Sequence, residues 1–208
     1  MELNKTVDFI IKKHNIVSNM VTENHIRTVL TELKIVLDNE IEGDIVELGC
    51  NVGTTSIFIQ SMLQEYKSDK KFYVYDSFQG LPCTTEKDNI KTERPFKQGD
   101  CLTSKDVFIK NFMENCVSLP IINEGWFKDC NYPDKIAFAF FDGDFYSSIM
   151  DSFVMVYPKL SQSAILTIHD YDWVALEGVK AACDDYLFHE IESGTIVNID
   201  NVGIMTKL

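Results

Sequence analysis

Acidic residues gather in this chain at the points where short apolar runs stop. Glu47 sits next to the end of Asp44–Leu48, Asp76 closes Phe72–Asp76, Asp142 and Asp144 follow Ile136–Phe141, and His169 with Asp170 follow Ala164–Ile168. Apolar runs of this length read as strands buried on both faces. A carboxylate there costs free energy unless it faces solvent or a ligand. Any one of these acids could be a helix cap or a solvated loop residue, and His169 alone could be a core-edge histidine bonded to backbone. As a set they mark one edge of a sheet as the place where chemistry is done.

The first of these ends carries Glu47-Leu48-Gly49-Cys50-Asn51-Val52-Gly53. Gly49 and Gly53 allow close backbone approach, and the start of the helix that follows offers free N–H groups to a carboxylate such as that of methionine. Thr54 and Thr55 add hydroxyls, and Cys50 and Asn51 lie within the turn. The G-x-x-x-G spacing is not the G-x-G-x-x-G of dinucleotide enzymes, which counts against a nicotinamide oxidoreductase. Asp76, at the next strand end, can accept hydrogen bonds from both hydroxyls of a ribose. Turn and acid together suit S-adenosylmethionine.

Asp142 and Asp144 stand two apart, so on an extended backbone their side chains leave the same face. If the strand ending before Asp170 lies beside theirs, about 4.8 Å away, three carboxylates and an imidazole converge on a volume fit for one divalent ion. Carboxylate oxygens favour Mg2+ or a similar hard cation, and the six cysteines all lie outside this cluster, which argues against a structural zinc.

The elements that position these groups follow from periodicity. Residues 25–38 repeat apolar side chains at helical spacing, with Thr22 or Asn24 as the cap, inside an N-terminal helical segment over 1–40. Helices are expected over 54–63, after a Thr103 cap with Phe108 and Phe112, over 147–160, and over 173–187. Further strands are expected near 118–123, 195–199 and 202–206, making seven in all. Residues 83–100 are polar, charged and without periodicity, and read as a lid-like loop. Alternating strands and helices give an α/β domain with a mostly parallel seven-stranded sheet covered on both faces, spanning 1–208 as one unit.

Composition narrows the partners. The chain has 208 residues, 45% of them apolar, enough for one domain with a proper core. Its formal net charge of −13 and the short basic islands at Lys70-Lys71 and Lys91–Lys97 argue against nucleic acid or an anionic membrane as substrate. No N/D-P-P-Y segment of amino-methyltransferases occurs. The cysteines form no C-x-x-C pair, and no long uncharged apolar run opens the chain, which together read as a cytoplasmic protein with reduced thiols. A homo-oligomer is left open.

Longer pieces of sequence carry a resemblance. Gly43–Gly49 with Gly53, Tyr75-Asp76-Ser77-Phe78-Gln79-Gly80-Leu81-Pro82, Gly125-Trp126-Phe127-Lys128-Asp129, and Asp142-Gly143-Asp144-Phe145-Tyr146-Ser147-Ser148 with Tyr157–Leu160 together resemble the macrocin O-methyltransferase family, over most of the chain after about residue 25. The resemblance implies a Rossmann-like class I methyltransferase fold and methylation of sugar hydroxyls with metal assistance. It implies that Ser77 and Trp126 join the donor site, that Asp142, His169 and Asp170 hold the metal, and that Asp144 is the base. His169 departs from the family's usual aspartate, so it is either a softer ligand or itself a base.

A sulfonium is a strong methyl donor, so such an enzyme must mainly align an acceptor oxygen and remove its proton. A metal lowers the pKa of that hydroxyl and makes a vicinal diol the natural acceptor. Sugars and catechols both qualify, and the resemblance favours a sugar in a glycoside or nucleotide sugar. The alternatives are a catechol-type O-methyltransferase and a cofactor-binding module without catalysis.

Overall fold

A computed structural model describes residues 5–88, 95–190 and 195–208. The chain opens with two helices, α1 (Lys5–Lys13) and α2 (Glu23–Asp38). Thr22 caps α2, its hydroxyl accepting from the His25 N–H at 3.2 Å. Strands and helices then alternate: β1 (Asp44–Leu48), α3 (Thr54–Glu65), β2 (Phe72–Asp76), α4 (Lys105–Glu114), β3 (Ile121–Glu124), β4 (Ile136–Phe141), α5 (Tyr146–Val156), β5 (Leu160–Ile168) and α6 (Glu177–Glu190). The last two strands, β6 (Val197–Ile199) and β7 (Val202–Thr206), pair as a hairpin.

The seven strands lie in the order β3-β2-β1-β4-β5-β7-β6, the first five parallel and β7 and β6 antiparallel. Period-two alternation sends Phe138 and Phe140 to a core shared with α1 to α4, and Ala139 and Phe141 to a core shared with α5 and α6. The parallel strands are thus covered on both faces, which is why β4 reads as an unbroken apolar run. Register fixes the site: Leu48 stands opposite both Tyr75 and Phe141, and Phe141 opposite Ile168. One residue further on, Asp76, Gly49, Asp142 and His169 therefore line up across four strands. Strand order reverses between β1 and β4, the position where open α/β sheets leave a crevice.

Several boundaries differ from the periodic pattern for local reasons. β5 starts at Leu160, earlier than its apolar run, because a register shift against β4 accommodates the polar Ser161 to Ser163. Ser104, not Thr103, caps α4, accepting from the Val107 N–H at 3.3 Å. α6 begins only at Glu177, since residues 170–176 form turns held by Trp173 N–H to Asp170 O and Leu176 N–H to Trp173 O. β3 begins after Pro120, which has no N–H to give a ladder.

The 83–100 segment has anchors that its composition hides; its residues 89–94 lie outside the described ones. Asp88, only 2% exposed, accepts from the Tyr146 N–H at the start of α5 at 2.7 Å. Phe96 meets Trp173 edge-on, with centroids 6.1 Å apart.

Candidate functional site

The donor half of the site is built by backbone. Gly49 has φ +92°, and a Cβ there would run into the Asp142 carbonyl oxygen, so only glycine lets the ends of β1 and β4 close up. Its N–H donates to Tyr75 O at 2.8 Å, while the Asp142 N–H donates to Leu48 O and the His169 N–H to Phe141 O, also at 2.8 Å. These bonds continue the ladder one residue past the strands. Asn51 takes φ 44°, which directs its N–H to Asp76 Oδ2 at 2.8 Å and its side-chain amide to Cys101 O at 2.7 Å. The Phe78 N–H donates to Asp76 Oδ1 at 2.7 Å. Burial pushes the Asp76 carboxyl above its ordinary range, and these backbone donors pull against that rise.

Behind the turn, Glu47 is 1% exposed and its Oε2 has no hydrogen-bond partner among the described residues; neither has Thr54 Oγ1. Burial, with Asp142 and Asp76 nearby, pushes the Glu47 carboxyl well above the usual carboxylate range. Glu47 and Thr54 line a cavity of about 780 Å3 that also receives Asp76, Ser77 and Trp126. Gly49, Cys50, Asn51 and Thr55 complete this wall. Gly53 does not line it: at φ +87° it caps α3 and lies under the Phe108 ring, where a Cβ would come within 2.9 Å. Its role is to aim the helix.

The other wall is built by side chains facing one another. His169 Nδ1 lies 3.1 Å from Asp142 Oδ1 and 3.0 Å from Asp170 Oδ2, and one ligand atom from each of the three falls within 4.8 Å of the others. Burial pulls the His169 pKa down, but the charges and hydrogen bonds of Asp142 and Asp170 more than reverse it and leave it well raised. Its Nε2 meets Nδ1 of His25, from the first turn of α2, at 2.8 Å. Burial, and His169 facing it, lower the His25 pKa. Asp144 lines the same wall and has no hydrogen-bond partner among the described residues; burial first, then Asp142 and Asp170, push its carboxyl well up. Asp144 and Asp170 take φ 59° and 54°, left-handed conformations that aspartate tolerates better than most residues and that concentrate at functional sites.

All the strand-end residues singled out from sequence thus meet in one cavity, apart from Gly53. His25 escaped sequence reading because its partner is 144 residues away and its own neighbours carry only a helical pattern. Asn201, at the tip of the β6–β7 hairpin, and Trp173 also line the cavity, and neither has a spacing signal that points there. In chemical terms, one wall offers a glycine turn, a helix start and a ribose-ready acid. The other offers two carboxylates and an imidazole able to hold a cation, with an unpartnered carboxyl beside them.

Residues 12–207 match the family described as Macrocin-O-methyltransferase (TylF). Demethyldecarbamoylnovobiocin O-methyltransferase of Streptomyces niveus is 30% identical over 183 residues, covering 81% of this chain and 67% of that protein. The 8-demethyl-8-(2,3-dimethoxy-alpha-L-rhamnosyl)-tetracenomycin-C 4'-O-methyltransferase of Streptomyces olivaceus is 28% identical over 185 residues, 84% of this chain and 69% of the other. The solved structure of the O-methyltransferase NovP shares the fold, with a TM-score of 0.82 over 97% of each chain at 22% identity.

Proposed function

The chain belongs to the macrocin O-methyltransferase family and is an O-methyltransferase, and from that premise we propose that it acts as one catalytic domain moving the methyl group of S-adenosylmethionine to a sugar hydroxyl of a glycoside or nucleotide sugar, with help from a divalent ion such as Mg2+. The observation that carries the reading is the meeting of two halves in one cavity: the Gly49–Thr54 turn with Asp76 on one wall, and Asp142, His169 and Asp170 within 4.8 Å on the other.

The residues present fit both groups. Glu47 Oε2 and Thr54 Oγ1 are buried polar atoms without a partner among the described residues, and a donor with an ammonium and a carboxylate supplies partners for both. Asp76 keeps a free lone pair on each oxygen for a ribose hydroxyl. For the ion, His169 Nδ1 lies 3.1 Å from Asp142 Oδ1 and 3.0 Å from Asp170 Oδ2, so one nitrogen and two carboxylates present their donor atoms to a common point. Asp142, His169 and Asp170 would hold the ion, which when bound supplies Lewis acidity that lowers the acceptor hydroxyl's pKa. Asp144 takes the hydroxyl proton: its carboxyl lines the same wall beside Asp142 and has no hydrogen-bond partner among the described residues. A cavity of about 780 Å3 lies within the roughly 300–1,000 Å3 of ligand pockets, at the end suited to a donor and a sugar together.

The acceptor is a small molecule or glycan. No described helix is long and apolar enough to cross a membrane, and a cytoplasmic setting is part of the proposal. The test is methyl transfer from S-adenosylmethionine to a panel of glycosides, nucleotide sugars and catechols, with Mg2+ or with chelator. Turnover on sugars that chelator abolishes is the expected result. Turnover on catechols alone would overturn the sugar assignment, and full turnover in chelator the ionic one.

A further inference from the structure

The imidazole in the acceptor wall is not placed as a free base. Both ring nitrogens of His169 are engaged: Nδ1 toward Asp142 Oδ1 and Asp170 Oδ2 at 3.1 and 3.0 Å, Nε2 toward His25 Nδ1 at 2.8 Å. The ring is 4% exposed and is wedged edge-on against Phe140 and His25, with centroids 6.1 and 4.7 Å away. It has no room to swing a nitrogen toward an acceptor hydroxyl.

Resting on the reading that this cluster holds a divalent ion, we propose that His169 binds it through Nδ1, that the site thereby favours a first-row transition ion such as Co2+ or Zn2+ over Mg2+ more than an all-carboxylate site would, and that His25 is the positioning residue for that ligand. Carboxylates only accept hydrogen bonds, so in the ion-free protein Nδ1 carries the proton between them. An ion taking that place needs the lone pair of Nδ1. The remaining ring proton must then lie on Nε2, where His25 Nδ1 is set to accept it. A histidine ligand anchored in this way through its second nitrogen keeps its tautomer and orientation, and gains basicity. Imidazole nitrogen suits the later first-row ions, whereas Mg2+ prefers oxygen throughout. Because α2 supplies the anchor and the end of β5 supplies the ligand, the ion site spans two elements far apart in sequence.

The test measures ions directly on the full chain. Apo protein is titrated calorimetrically with Mg2+ and Co2+, the Co2+ visible spectrum is recorded, and pulsed EPR of the Mn2+ form is read for coupling to 14N. Folding of every variant is confirmed by circular dichroism. Expected are a 14N coupling in the native protein that His169→Asp removes, and a fall of tenfold or more in the Co2+ to Mg2+ affinity ratio in the same variant. His25→Phe should weaken Co2+ about 10- to 100-fold and shift its spectrum. His25→Asn, which restores an acceptor near the old Nδ1, should recover most of that loss. Ion binding without 14N coupling, with an unchanged ratio in His169→Asp, would overturn this inference and leave the ionic reading of the site standing. Failure of native and His169→Asp proteins alike to bind any of these ions would overturn both.

Discussion

At the end of β2 the Asp76 carboxylate takes one backbone N–H on each oxygen, from Asn51 and Phe78. At the ends of β4 and β5, Asp142 and Asp170 share a single imidazole, and Asp144 beside them has no hydrogen-bond partner among the described residues. The two walls rest on the same register and the same ladder bonds, yet the strand-end acid of one is met by backbone donors while the strand-end acids of the other face side chains and one another. Like charges this close in a low-dielectric crevice repel one another, which favours the entry of a cation. A wall held by main chain binds a ligand as a preformed mould. A wall held by opposed side chains gains its final shape and charge from what it takes up.

If that contrast is right, damage to the two walls should be separable. The largest effect is expected for Asp142→Ala, which removes an ion ligand and should cost roughly 10^4-fold in turnover, several kcal/mol of transition-state stabilisation, with affinity for S-adenosylmethionine kept within about threefold. Calorimetric titration of the donor beside a turnover assay checks both parts. Equal loss of donor binding would mean that the walls are one unit. Asp144→Asn should be somewhat milder, about 10^2–10^4-fold, as the loss of a general base usually is. Here ion binding and donor binding should both survive, which separates the base from the ligands.

On the donor wall, Asp76→Ala should leave ion binding alone and weaken S-adenosylmethionine by about 1–3 kcal/mol, roughly five- to 150-fold, through lost charge-assisted hydrogen bonds. The variant also strands the N–H groups of Asn51 and Phe78. Asp76→Asn keeps one acceptor oxygen and should lose less, and the reverse ranking of the two would remove Asp76 from the ribose.

The donor wall is also the more legible in sequence, and for the same reason. Glycines at 49 and 53 and an acid ending the next strand are local signals, because the backbone geometry that needs them is local. On the acceptor wall the sequence showed Asp142, Asp144, His169 and Asp170 at strand ends, and the parallel pairing of β4 with β5 brought them together. What sequence did not show is the partner from elsewhere. His25 sits in an amphipathic helix whose pattern is satisfied by Ile26, Val29, Leu30 and Leu33, so nothing in its own neighbourhood marks it. Asp88 is hidden in the same way, in a polar stretch where one buried acid capping α5 looks like any solvated one. Fold and first contacts are written in periodicity; contacts between distant elements are written only in the packed structure.

The smallest effect concerns the one acid of the donor wall that lacks a backbone donor. Glu47 is buried, its Oε2 has no partner among the described residues, and its carboxyl is held well above the ordinary range. The folded state therefore holds the Glu47 proton more tightly than the unfolded chain does. Its contribution to stability is fully present below the unfolded value, near 4.3 for a free glutamate, and is lost as pH rises through the raised folded value. Glu47→Gln keeps the shape and never ionises. The variant should thus gain in Tm on the native protein as pH rises from about 4, until the gap levels off above the folded pKa, each kcal/mol of the gap appearing as about 2–4 °C. Donor binding should run the opposite way. An ammonium beside Glu47 favours the ionised carboxylate, so native affinity for S-adenosylmethionine should climb over the same pH window while that of Glu47→Gln stays flat. Thermal melts and calorimetric titrations at matched pH read both trends, and parallel Tm curves with parallel affinities would mean that Glu47 neither resists ionisation in the fold nor meets the donor's charge.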